Sequence, residues 1–187
     1  MRAFIGLEVN SQLQQELISW QNEAEVILGE RWRMTRPHNF HMTLRFLGQL
    51  EESALLGIQQ DLPDWFADLS SFEVPCESIV GLPGQDQTRV LALRFTNTLP
   101  LQSMVDAVYR GLKPYGFGKA EYGFLPHITL ARHKSQPLKS FELPPGLQWP
   151  ENLPGWLEVK TLSLFLSESH EDGVYYRRLF QLTLPSY

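Results

Sequence analysis

The feature that most constrains this chain is a four-residue pattern that occurs twice. His41-Met42-Thr43-Leu44 lies within "NFHMTLRFLG" (residues 39–48), and His127-Ile128-Thr129-Leu130 within "FLPHITLAR" (124–132). Both stretches read as β-strands, in which successive side chains point to opposite faces. Alternation puts His41, Thr43 and Arg45 on one face and Met42, Leu44 and Phe46 on the other, which has the composition of a core face. The second copy repeats this, with His127 and Thr129 outward and Ile128 and Leu130 inward. One such strand would be an ordinary half-wetted strand of an antiparallel sheet. Two copies in a chain with five histidines need another reason. They lie 86 positions apart, far beyond a solenoid period. The spacing suits two lobes, each presenting one copy to a shared cleft.

The rest of the chain reads as elements that could build those lobes. "RAFIGLEV" (2–9) is a strand, followed by a helix capped at Asn10 or Ser11, with Leu13, Leu17, Trp20 and Ala24 at helical spacing and a stop near Gly29. A second helix carries Leu55, Ile58, Leu62, Trp65, Phe66 and Leu69. "SFEVPCESIVGL" and "TRVLALRFT" form two strands around the turn residues "PGQDQ". A third helix has Leu101, Val105, Val108 and Leu112 as its buried stripe and ends near Pro114 and Gly116. A proline-rich stretch, "QPLKSFELPPGLQWPENLPGW", contains no defensible element. Two closing strands, "LEVKTLSLFLSES" and "VYYRRLFQLTL", flank the turn "HEDG". The expected architecture is α+β: residues 1–187 as a single bilobal domain, two antiparallel sheets flanking a central cleft, helices on the outer faces, and a pseudo-two-fold relation between lobes.

Composition narrows the function. A lone cysteine, Cys76, excludes an internal disulfide framework and suits a small half-buried side chain in a reducing compartment. No stretch approaches the roughly 20 apolar residues of a membrane span, and the N-terminus lacks a signal-peptide pattern, so the expectation is a cytoplasmic protein without a membrane partner. The net charge of −5 opposes coating of long nucleic acid. Any phosphate would have to be held by local clusters: Arg31, Arg33, Arg36 and Arg45 around the first motif, and Lys119, Arg132, His133 and Lys134 around the second. Of the other histidines, His38 precedes the motif in a loop, His133 reads as a solvated neighbour and His170 as a turn residue.

Two histidines with a threonine two residues on suit one kind of chemistry. Imidazole gives or takes a proton near neutral pH. A facing pair can act as acid and base in one displacement, each worth roughly 10²- to 10⁴-fold, while the hydroxyls donate to anionic oxygens. Such a cradle fits a phosphodiester and needs neither metal nor cofactor. Neither motif carries a Cys, Asp or Glu within a few residues to complete a metal site.

These residues resemble the paired His-x-Thr motifs of the 2H phosphoesterase superfamily, and within it the bacterial RNA 2′,3′-cyclic phosphodiesterases, also called 2′-5′ RNA ligases. "RAFIGLEV" is similar to that family's first strand, the Phe-Leu-Gly after the first motif and the arginine after the second agree with it, and "YRRLFQL" is similar to its last strand. The resemblance implies a bilobal, monomeric enzyme that hydrolyses an RNA terminal 2′,3′-cyclic phosphate to a 2′-phosphomonoester. It also implies joining of such ends, tRNA fragments among them, to 5′-hydroxyl ends. By that likeness His41 is the proton donor, His127 the proton acceptor, and Thr43, Thr129 and Arg132 hold the phosphate. Strict alternation instead turns Arg132 inward with Ile128 and Leu130, unless the strand ends or bulges after Leu130 or the side chain reaches round an edge. Arg45, Phe46 and Tyr176 are candidate RNA contacts, and Tyr122 and Phe124 are further aromatics that could stack a base. Two other readings stay open: a phosphodiesterase of small cyclic nucleotides or 2′-5′ oligonucleotides, and a nucleotide-binding module without catalysis.

Overall fold

The computed structural model describes residues 2–118, 123–149, 155–171 and 173–186. Lys119, Tyr122 and Asp172, which figure in the expectations above, lie outside the described residues. The elements run β1 (Arg2–Glu8), α1 (Ser11–Leu28), β2 (Trp32–Met34), β3 (His41–Gln49), α2 (Glu52–Trp65), β4 (Phe72–Leu82), β5 (Val90–Phe95), α3 (Leu99–Leu112), β6 (His127–His133), β7 (Trp156–Val159), β8 (Thr161–His170) and β9 (Gly173–Thr183). The architecture is α+β with one large antiparallel sheet. Its strand order is β7-β4-β5-β6-β3-β1-β8-β9, with β2 added against β6.

Two four-stranded halves meet at a narrow seam. Between β3 and β6 a single residue pair is in register, Met42 with Ile128. The halves are related copies: β1-α1-β3 in one matches β5-α3-β6 in the other, each an antiparallel strand pair spanned by a helix. Gly6, Leu7 and Glu8 lie opposite Thr43, Met42 and His41. Ala92, Leu93 and Arg94 lie opposite Thr129, Ile128 and His127. Even the irregularities coincide. Register shifts between Ile5 and Gly6 and between Leu91 and Ala92, leaving one extra residue on the motif strand, Leu44 in the first half and Leu130 in the second. A bulge of this kind flips the parity of everything that follows it.

The helices supply the other side of the core. Leu13, Leu17, Trp20 and Ala24 of α1, Leu55, Ile58 and Leu62 of α2, and Leu101, Met104, Val105, Val108 and Leu112 of α3 are buried. They join Met42, Leu44, Ile128 and Leu130 in one hydrophobic cluster. Each such aliphatic side chain contributes roughly 1.5–3 kcal/mol on burial, so the core side of both motif strands is fixed and the His-Thr side is left to face the solvent. Gly29 ends α1 with φ of 68°, a left-handed value that glycine adopts without strain, and the Thr98 hydroxyl accepts from the Leu101 amide at the start of α3.

Three local expectations change. "LEVKTLSLFLSES" is two strands: β7 pairs with β4 and β8 with β1, and the chain crosses between halves at Lys160. The proline-rich stretch holds a single helical turn, Pro145–Leu147, whose Leu147 is fully buried and whose carbonyl accepts from the Trp20 indole at 2.9 Å. His133 is not solvated; it is buried at 8% exposure with its ring edge-on to Trp32. Among the described residues no helix is long and apolar enough to cross a membrane.

Candidate active site

Where the halves meet, the outward faces of β3 and β6 form a cavity of about 390 Å³. His41, Thr43, Phe46, His127, Thr129, Arg132 and Tyr176 all line it, together with Arg33, Arg36 and Asn39. The antiparallel pairing of Met42 with Ile128 runs His41 towards Thr129 and Thr43 towards His127, so each histidine has a threonine beside it on its own strand and another across the seam.

Both imidazoles are oriented the same way. His41 Nδ1 donates to the Asn39 carbonyl at 2.7 Å, and His127 Nδ1 donates to the Leu125 carbonyl at 2.8 Å. A carbonyl only accepts, so each ring in its neutral form carries its proton on Nδ1 and leaves Nε2 with a lone pair. His41 Nε2 lies 3.0 Å from the Thr43 hydroxyl, which donates to it. Asn39 is itself clamped: its amide donates to the Val174 carbonyl at 2.7 Å, and its side-chain oxygen accepts from the Tyr176 amide. The carbonyl that orients His41 is thereby anchored to β9.

The surroundings resist protonation. Burial drives the His41 pKa from 6.5 to about 4, outweighing the Asn39 carbonyl, with the nearby His127 and Arg132 charges adding to the effect. His127 is also lowered by burial, then by Arg132. His41 sits among aromatic rings: Phe4 at 4.7 Å and Tyr176 at 4.8 Å between centroids, with Phe165 stacked on Phe4.

The bulges decide what else reaches the cavity. After Leu130, Ala131 turns inward and Arg132 outward, so Arg132 lines the cavity with the motif residues although plain alternation buries it. The same flip after Leu44 reverses two expectations. Phe46 is not a core residue; it is 70% exposed and lines the cavity. Arg45 is turned to the helix side, where it donates to the Gly118 carbonyl at 3.0 Å and lies over the Tyr109 ring, so it is not an RNA contact of this cavity. Phe124 packs against the core.

Other residues fall into place around these. His38 stacks on Tyr175, which also meets Arg36, and His170 meets the edge of the same ring. Cys76 has its thiol raised to about 12, chiefly by burial. No group of three or more His, Cys, Asp or Glu side chains among the described residues could hold a metal ion. Sequence reasoning missed Asn39, Phe4 and Phe165 as supports. The first has no signature, since its role runs through a main-chain carbonyl. The two phenylalanines have the spacing of core residues.

Known proteins share this fold. The family model LigT like Phosphoesterase matches residues 7–92. An RNA 2′,3′-cyclic phosphodiesterase of Thermotoga maritima is 26% identical over 97% of this chain and 94% of its own. The crystal structure of TT0787 of Thermus thermophilus superposes with a TM-score of 0.76 at 22% identity, covering 100% of this chain and 99% of that one. E. coli LigT complexed with 3′-AMP superposes with a TM-score of 0.75 at 19% identity, covering 98% and 97%. The chain is thus similar to the LigT-like phosphoesterases, through that model's match to residues 7–92 and its likeness to a relative named as an RNA 2′,3′-cyclic phosphodiesterase.

Proposed function

We propose that this protein is a phosphoesterase that opens the terminal 2′,3′-cyclic phosphate of RNA to a 2′-phosphomonoester, using His41 and His127 as an acid–base pair without a metal. The observation that carries the reading is the pair of imidazoles on one cavity, each held through Nδ1 by a carbonyl two residues upstream. The name of the Thermotoga maritima relative and the 3′-AMP bound by E. coli LigT support the substrate class.

In the proposed reaction, His127 Nε2 takes a proton from water as the water oxygen attacks phosphorus. The bond from phosphorus to O3′ breaks, and His41 delivers a proton to O3′. Thr43, Thr129 and Arg132 hold the non-bridging oxygens, and Phe46 and Tyr176 border the space for the terminal nucleoside. One water is consumed, and the proton gained by His127 returns to solvent while His41 is recharged. An unoccupied cavity disfavours a charged His41. The substrate's negative charge supplies the missing counter-ion, so His41 becomes an acid when the phosphate is in place. With a 5′-hydroxyl in place of water, the same groups in the same roles would join two ends through a 2′-5′ linkage, and the reverse of that step, cleavage of the linkage, would exchange their roles.

The deciding experiment is product analysis with an oligoribonucleotide ending in a 2′,3′-cyclic phosphate. A 2′-phosphate product, formed at an unchanged rate after exhaustive chelation, is expected. A 3′-phosphate product, or activity lost to EDTA and restored by zinc or manganese, would overturn the mechanism.

A further inference from the structure

A second hollow, of about 900 Å³, opens from the His127 side of the cavity and shares Arg33, His127, Thr129 and Arg132 with it. Its remaining lining includes Arg89, Lys134, Leu82 and Val90, and no acidic residue. β2, too short to be read from sequence, contributes Arg33 to it. Arg33 lies directly opposite Arg132, Arg132 opposite Val90, and Val90 opposite Leu82, one row across four strands. Like charges directly opposite each other in a sheet are destabilising, so the Arg33–Arg132 pair is a cost that an anion would relieve. Lys134 joins them through its amide bond to the Arg31 carbonyl, and Arg89 through its carbonyl, which accepts from the His133 amide.

Several cations elsewhere on the protein are compensated by carboxylates. Arg94 pairs with Glu77, Arg177 with Glu168 and Arg178 with Glu8. Among the described residues, none of Arg33, Arg89, Arg132 and Lys134 has an acidic partner. In a chain of net charge −5, this many exposed and uncompensated cations in one hollow form a local site for a polyanion.

We propose that the hollow binds the backbone phosphates on the 5′ side of the terminal cyclic phosphate, through Arg33, Arg89 and Lys134, so that the favoured substrate is an oligonucleotide end rather than a free cyclic mononucleotide. The inference rests on the cyclic-phosphate reading above and extends it. Arg132 stands between the two spaces: with Leu130 bulged out, it faces Val90, two residues along β5 from the Ala92 that faces Thr129, roughly 7 Å at the rise of a strand. The next phosphate of the same strand then falls among the three remaining cations. The net acidic surface elsewhere confines binding to the end of the strand.

The test compares kcat/KM for a 2′,3′-cyclic mononucleotide and for a tetranucleotide ending in the same group. The tetranucleotide should be favoured by about tenfold or more, and Arg89→Gln/Lys134→Gln should abolish most of that ratio. Each lost cation should also flatten the salt dependence of tetranucleotide turnover by about 0.7 in log–log slope. Arg89→Lys should keep the advantage, which separates charge from shape. Equal kcat/KM for the two substrates in the unaltered enzyme, or an equal loss on both in the double variant, would overturn the proposal. So would an advantage that arises only when a separate strand with a 5′-hydroxyl is added, because the hollow would then hold the incoming strand. If neither substrate turns over, the cyclic-phosphate reading fails by itself. Binding then decides: a 2′-phosphorylated tetranucleotide should still outbind the mononucleotide at low salt, and equal affinities would end the proposal.

Discussion

The two halves of the sheet are built alike up to the bulge and differ after it. In each, a histidine is tethered to the carbonyl two residues before it, a threonine follows on the same face, and the strand bulges at the next leucine. Opposite each threonine stands a residue with little or no side chain, Gly6 or Ala92, which leaves the face open. Five positions past each histidine the copies part: Phe46 in one half, Arg132 in the other. The surroundings follow suit. His41 lies among Phe4, Phe165 and Tyr176, whereas His127 looks towards Arg33, Arg89 and Lys134. The shared part is what acid–base chemistry at a phosphorus atom requires from both sides. The divergent part suits a ligand whose two ends differ, an aromatic base on one side and charged phosphates on the other.

The largest effect should come from what the halves share. His41→Ala and His127→Ala should each lower kcat by roughly 10²- to 10⁴-fold, with the double variant little worse than either single one, because groups acting in one step are not additive. Steady-state rates on a cyclic phosphate substrate check this, and full activity in either single variant would break the equivalence of the halves. A smaller and unequal effect should come from the divergent positions. Arg132→Gln removes a charge-assisted contact worth about 1.5–3 kcal/mol, so kcat/KM should fall by about 10- to 150-fold, equally for every base. Phe46→Ala should raise KM by about tenfold, at the low end of a base-stacking contact, and unequally for purines and pyrimidines. Identical base dependence in the two variants would refute the division of labour.

The smallest effect concerns stability. The folded protein holds His41 down to about 4, against 6.5 for an exposed imidazole, and holds His127 down as well. Between these values the unfolded chain binds more protons than the folded one, so stability falls as pH drops from about 6.5 towards about 4. Denaturant titrations at pH 7.5 and pH 5 should show this loss, and His41→Gln should reduce it. A loss of the same size in His41→Gln would show that other groups carry it.

Much of this was legible in the sequence because it repeats a period. The stripes of α1 and α3 and the alternation of His41 to Leu44 and His127 to Leu130 appear in the structure as read, and that of α2 as far as Trp65, where the helix ends short of Phe66 and Leu69. What escaped has no period. A β-bulge adds a residue without changing composition, and a leucine at position 44 or 130 looks the same with or without it. Arg132 nevertheless carried a warning, since family likeness and alternation disagreed there. Applying the bulge that resolves that disagreement to the other copy would have exchanged Arg45 and Phe46. The three residues of β2 are too few to alternate, and the break at Lys160 depends on pairing partners far away in the chain, β4 for one strand and β1 for the next.

The seam between the halves has a consequence of its own. Met42 and Ile128, the pair in register there, occupy the same place in their respective copies. Equivalent residues meeting in antiparallel fashion are what a two-fold axis produces at an isologous contact between identical subunits. The protein is arranged as a homodimer would be, with both subunits written into one chain and each freed to change its sequence separately. An axis of this kind favours neither direction through the centre it crosses. A group placed on it meets an imidazole and a hydroxyl from either side, and only the residues away from the axis decide which way round the ligand lies.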